Sequence, residues 1–221
     1  MKRAATSPAQ GFTLIELLVV MAILGVIGTL IISFFTTTSQ SVTEQTRVAS
    51  QTGQIQRALG LIADDIRRAD KLVVTGAATP LALGGIAVTP PAQTGASRLD
   101  LYVLRPASGS PCASTSGYEY RSYFSVARST LTAASMNAWV RLPEDANNAA
   151  RNVLLQYVGC ADTLTGTPSY GSLRPVVDHV GTLTFTQTAS NVSVALQGQR
   201  QIGARTFTTP LASGTYYSRR Y

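Results

Sequence analysis

The feature that most constrains this chain is the run from Leu17 to Phe35, which carries no charged residue. A run of about twenty apolar residues is long enough to cross a bilayer as one helix. Lys2 and Arg3 precede it, and the next charges, Glu44 and Arg47, lie far beyond. The positive-inside rule then puts the N-terminus in the cytoplasm and everything after the run outside it. A cleaved secretory signal has its small-residue junction after the apolar core. Here the junction Ala9-Gln10-Gly11 comes before it. Cutting there leaves the apolar helix on the mature chain. Within this frame Glu16 is anomalous, because an isolated carboxylate is costly near hydrocarbon.

The string Gly11-Phe12-Thr13-Leu14-Ile15-Glu16, followed by Leu17-Leu18-Val19-Val20, resembles the prepilin motif of type IV pilins and type II secretion pseudopilins. A glycine and a glutamate at this spacing mean little alone; the phenylalanine, the unbroken apolar helix and the short basic leader make the match specific. The resemblance implies cleavage between Gly11 and Phe12 by a membrane-embedded prepilin peptidase, N-methylation of Phe12, and an assembly role for Glu16. In that family the glutamate of one subunit is thought to meet the new amine of a neighbour, and such pairing offsets part of the carboxylate's burial cost. Glu16 also suits the positive end of the helix dipole. The competing reading is a plain signal anchor with an interfacial glutamate. Major pilins often carry proline near the position of Ser33, and its absence counts against a main filament subunit. Gly25 and Gly28 are either weak points of the helix or sites of close packing.

Past Phe35, Val48, Ile55, Leu59, Ile62, Ile66 and Ala69 form one helical stripe, with Gln51, Gln54, Arg57 and Asp65 assigned to other faces. Asp64 and Asp65 precede Arg67 and Arg68 at a spacing that reads as a solvated helix surface. Gly53 and Gly60 bend the helix or are tolerated at modest cost. A continuous helix from Thr13 to about Asp70 would be roughly 85 Å long, and its apolar stripe calls for a sheet built from the remaining chain. Leu99–Leu104, Tyr118–Val126, Val153–Val158, Thr182–Gln187 and Val192–Gln197 read as strands, the last two joined as a hairpin through 188–191. Thr75–Ser97, Pro106–Gly117 and Pro143–Asn152 read as loops. The expected fold is therefore α+β and pilin-like: a leader (1–11), a membrane or filament-core helix (12–35), its amphipathic continuation (36–70) and an antiparallel β domain outside the cytoplasm (71–221). "IQRALGLIADDIRRAD" and "VVDHVGTLTFTQ" resemble the larger minor pilins and pseudopilins of the W and J type.

Cys112 and Cys160 lie beyond the apolar run, in a disulfide-permissive space if the topology holds. They form one bridge of roughly fifty residues or remain two buried thiols. The net charge of +7 falls to +5 without Lys2 and Arg3. Arg98, Arg105, Arg121, Arg128, Arg141, Arg151 and Arg174 occur singly, which reads as a mildly basic solvated face. His179 is the only histidine and stands beside Asp178 without a nucleophile motif. Asp100, Glu119, Glu144, Asp145 and Asp162 lack calcium-loop spacing, and no zinc pattern or phosphate loop occurs.

The expectation is a structural subunit with no enzymatic activity, cofactor or metal. Its implied partners are other pilins or pseudopilins, the prepilin peptidase, an inner-membrane assembly platform and, before assembly, the membrane. Its location is the inner membrane, then a pilus or pseudopilus. Nucleic acid is a further candidate partner, because Tyr216, Tyr217 and Tyr221 interleave with Arg219 and Arg220; the same tail also reads as a closing strand. The second class of function is therefore a binding module on the same scaffold, at a pilus tip or DNA-uptake apparatus, where the outer domain meets DNA or a surface in adhesion. A membrane-anchored periplasmic enzyme is the third class, for which the sequence offers no site.

Overall fold

The computed structural model describes residues 13–75, 81–83, 86–88, 98–104, 112, 117–132, 145–164, 168–189 and 191–218. The chain forms two compact units, Met1–Arg47 and Val48–Tyr221. One helix, α1 (Leu14–Arg68), contributes to both. The threonines along it bond back to their own helix: Thr29 to the carbonyl of Val26, Thr36 and Thr37 to that of Ser33, Thr43 to that of Ser39 and Thr46 to that of Val42. These bonds satisfy the threonine hydroxyls within the helix itself.

In the second unit the helix meets an antiparallel sheet. Its strands are β1 (Lys71–Thr75), β4 (Arg98–Leu104), β5 (Tyr118–Ala127), β6 (Asn152–Ala161), β7 (Ser169–Thr188), β8 (Asn191–Ile202), β9 (Arg205–Thr208) and β10 (Ala212–Tyr217). The order is β1-β4-β5-β6-β7-β8-β10, with β9 also on β8. β2 (Leu81–Leu83) and β3 (Ile86–Val88) make a separate hairpin inside the stretch expected to be a loop. Two apolar triplets around Gly84-Gly85 are the signal for it. The expected α+β arrangement is present: a long N-terminal helix lies on a curled antiparallel sheet.

Period-two alternation sorts the strands into two faces. Towards α1 point Leu99, Leu101, Tyr123, Leu154, Val177, Phe185, Val194 and Leu196, which pack with Ile55, Leu59, Ile62 and Ile66 of the helix. The expected stripe is thus the buried one. The alternate residues Tyr102, Tyr120, Phe124, Val153, Leu155 and Tyr157 build a second core. Tyr102 meets Tyr120 edge-on at 5.1 Å, and Tyr120 meets Tyr157 at 5.8 Å. Burial pushes the Tyr157 phenol up to about 12.

β7 is much longer than the strand expected from Thr182 to Gln187. Its first half pairs with β6 and its second half with β8, with register shifts where the two halves meet. Pro175 lies inside that first half, opposite Leu155, while Leu154 pairs with Val177. Val176 is therefore an extra residue, a bulge that accommodates proline in a ladder. His179 takes a left-handed backbone (φ 58), a conformation costing about 1–3 kcal/mol for a non-glycine residue. Its carbonyl accepts from Gln51 Nε2 at 2.9 Å, and its Nε2 lies 3.0 Å from Asp145. Gln51 belongs to the buried face, not an outer one. Gly198 lies directly beneath it, where an added Cβ would stand 2.3 Å from Gln51 Nε2.

Two further expectations are corrected. Asp65 is buried at 2% exposure, where it accepts from Tyr123 Oη at 2.5 Å and Gln156 Nε2 at 2.9 Å and pairs with Arg121. Helix periodicity places it beside the stripe, and the cross-strand row beneath supplies the donors. Several arginines expected on a solvated face are internal. Arg98 is buried and bonded to Asp100 and Tyr120, and Arg128 is buried and paired with Asp178. Their guanidinium groups satisfy carboxylates inside the sheet, so these arginines do not form part of a basic face, although each pair removes one charge of either sign and leaves the net excess unchanged.

Cys112 and Cys160 form a disulfide with a sequence separation of 48. It ties Cys112 to the end of β6, and a loop of this size contributes about 4 kcal/mol in the chain-entropy model.

Candidate processing and assembly site

The first unit is dominated by apolar side chains with nothing over them. Leu14, Ile15, Leu17, Leu18, Met21, Leu24 and Leu30 are all more than half exposed, as are Phe34 and Phe35. By length and composition α1 is apolar enough to cross a membrane. A helix hydrophobic around its whole circumference requires an apolar surrounding, either lipid or other helices.

At the head of this helix Thr13 and Glu16 bond reciprocally. Glu16 Oε2 accepts from the Thr13 backbone N–H at 3.0 Å and from its hydroxyl at 2.9 Å, while the Glu16 N–H donates to Thr13 Oγ1 at 3.3 Å. This is a capping box: Thr13 is the N-cap, Glu16 the third helical residue, and two amides of the first turn that the helix cannot satisfy are satisfied by side chains. The sequence places Glu16 at the positive end of the helix dipole, and the Thr-x-x-Glu spacing is the signal for the side-chain cap. The geometry adds an intramolecular role to the intermolecular one that the resemblance implies. The Glu16 carboxylate is solvated by its own helix terminus, which lowers the cost of holding a charge at the edge of an apolar segment.

Gly11 and Phe12 lie outside the described residues, as do Arg105, Arg141, Glu144, Arg219, Arg220 and Tyr221. The other residues considered for chemistry are dispersed or internally committed. His179 stands between Asp145 and Asp178, with Nδ1 3.4 Å from the latter. Burial alone would raise the Asp145 carboxyl, but hydrogen bonds from Asn148 and His179 and the nearby Arg200 outweigh it and hold the group below its ordinary value. Among the described residues no three His, Cys, Asp or Glu side chains converge as a metal site. Ala212–Tyr217 is the closing strand β10, paired with β8, and Ser218 Oγ donates to the Ala69 carbonyl at 2.7 Å.

Residues 6–32 match the family model described as the prokaryotic N-terminal methylation motif. No curated protein and no solved structure matches the chain. The matched segment includes Gly11, Phe12, the Thr13–Glu16 cap and most of the apolar run, leaving the sheet to be understood from its own geometry. In its N-terminal segment, then, the chain carries the motif of pilin-type subunits, which implies in general terms handling by a prepilin peptidase and association with other pilins.

Proposed function

We propose that the protein is a minor pilin or pseudopilin: a structural subunit, not a catalyst, that joins or primes a type IV pilus or a type II secretion pseudopilus after removal of residues 1–11. The observation that carries this reading is the coincidence, at one helix end, of the methylation motif with Glu16 at the head of an exposed apolar helix. On this reading the leader is cut after Gly11, Phe12 gains a methylated α-amine, and the chain waits in the inner membrane with its sheet outside the cytoplasm. Assembly passes the Glu16 carboxylate from its own Thr13 cap to the Phe12 amine of a neighbour. Pairing the two charges offsets part of the cost of holding each of them in a low-dielectric helix bundle.

The test is a pair of substitutions in the full-length chain. Gly11→Leu should block processing and leave the unprocessed mass. Glu16→Ala should be processed but should enter filaments poorly, as measured by its recovery in sheared filament fractions. Normal incorporation of the Glu16→Ala protein would refute the pairing.

A further inference from the structure

The second unit has a groove of about 530 Å³ between α1 and β7, with Arg57, Ala58 and Leu61 on the helix side and Arg174, Pro175 and Val176 on the strand side. Gln54 completes its lining, which contains no aspartate or glutamate. Three observations make it a built site. First, Arg174 is held from below. Register places Tyr123, Gln156 and Arg174 in one cross-strand row. Gln156, fully buried, donates its amide N–H groups to Asp65 and to the Tyr123 oxygen, which turns its carbonyl oxygen to Arg174 Nε at 2.5 Å. Among the described residues this anchors the guanidinium by Nε, leaving the terminal nitrogens, the fork that takes a carboxylate in two parallel bonds.

Second, Arg174 and Arg57 are exposed and have no ion pair among the described residues, whereas Arg98, Arg121 and Arg128 each have a carboxylate partner. Third, the Val176 bulge adjoins Arg174, and bulges re-aim side chains beside functional surfaces. Between the arginines the floor is aliphatic. It offers no aromatic ring for stacking a base, and the aliphatic side chains suit the apolar stem of an aspartate or glutamate whose carboxylate meets an arginine.

We propose that this groove docks an acidic segment of another polypeptide chain, whose aspartate or glutamate is received by Arg174 and flanked by Arg57. Charge complementarity of this kind sets register and partner choice at an interface. It goes beyond the proposed assembly role of the N-terminal helix and stands or falls separately.

The test places a photo-crosslinking phenylalanine derivative at Gln54 of the full-length chain in its native host, followed by identification of the crosslinked peptide by mass spectrometry. The expected result is a peptide of another polypeptide with an aspartate or glutamate in the contacting segment. Crosslinking should fall by at least about tenfold in both Arg57→Glu and Arg174→Glu and return when that acidic residue is changed to arginine. Arg57 takes no part in the Gln156 network, so its variant reads docking without disturbing the fold. The proposal is overturned by absence of a crosslink, by crosslinks only to lipid or nucleic acid, by a contacting segment without an acidic residue, or by a yield unchanged in Arg57→Glu. Processing and methylation of Phe12 are scored in the same samples: intact processing with no crosslink removes the groove proposal and leaves the pilin reading standing.

Discussion

Asp64 and Asp65 are neighbours with the same chemistry and opposite roles. Asp64 is exposed and pairs with Arg67 at 2.9 Å, while Asp65 is buried under Tyr123, Gln156 and Arg121. An exposed pair of this kind contributes little, whereas removing one member of a buried network strands the others. Asp65→Ala should therefore lower stability by about 3–5 kcal/mol, and Asp64→Ala by no more than about 0.5 kcal/mol, both read from urea unfolding of the full-length chain in detergent. A second residue-scale expectation concerns acid. Because Asn148, His179 and Arg200 hold the folded Asp145 carboxyl below its ordinary value, its stabilisation is present above the unfolded value of about 3.9 and is lost as pH falls through the lower folded one. The stability gap between the native chain and Asp145→Asn should be full near neutral pH and narrow as pH falls below the unfolded value of about 3.9. Neither effect could be read from sequence: the helical stripe was legible because apolar spacing records it, but Asp65 and Gln51 owe their burial to partners on strands far along the chain.

Among the elements, α1 and the central strands were legible. Apolar periodicity fixes the first, and aromatic or β-branched alternation fixes β4, β5 and β6. The first half of β7 was not, because Pro175 argues against a strand until the Val176 bulge is known. Glycines divide in the same way. At Gly171 an added Cβ would meet the Tyr157 ring at 2.1 Å, whereas Gly53 and Gly60 face open space. The ring covers this glycine across the β6–β7 ladder and cannot retreat without disturbing the Tyr120 contact. Gly171→Ala should cost about 1–3 kcal/mol, whereas Gly60→Ala should stabilise the helix by up to about 1 kcal/mol; thermal unfolding of the two variants under one condition checks the difference in sign.

At the scale of the whole molecule, a short N-terminal segment carries the family signal and a separate sheet carries its own internal polar networks and disulfide. The methylation motif was legible because it is linear: its residues follow one another in a single stretch of sequence, within the matched residues 6–32. The Thr13–Glu16 cap has its signal in the same stretch, whereas the groove at Arg174 was not legible, since it exists only once register is set. The central claim is that Phe12 becomes the first residue of the mature chain while the apolar helix stays attached. Intact-mass and N-terminal peptide analysis of the protein from its native membranes tests this directly. The account predicts a chain that starts at Phe12, carries one added methyl on its α-amine and retains Glu16 and the helix behind it; a chain that starts at Met1, or one cut after the apolar run, would contradict it.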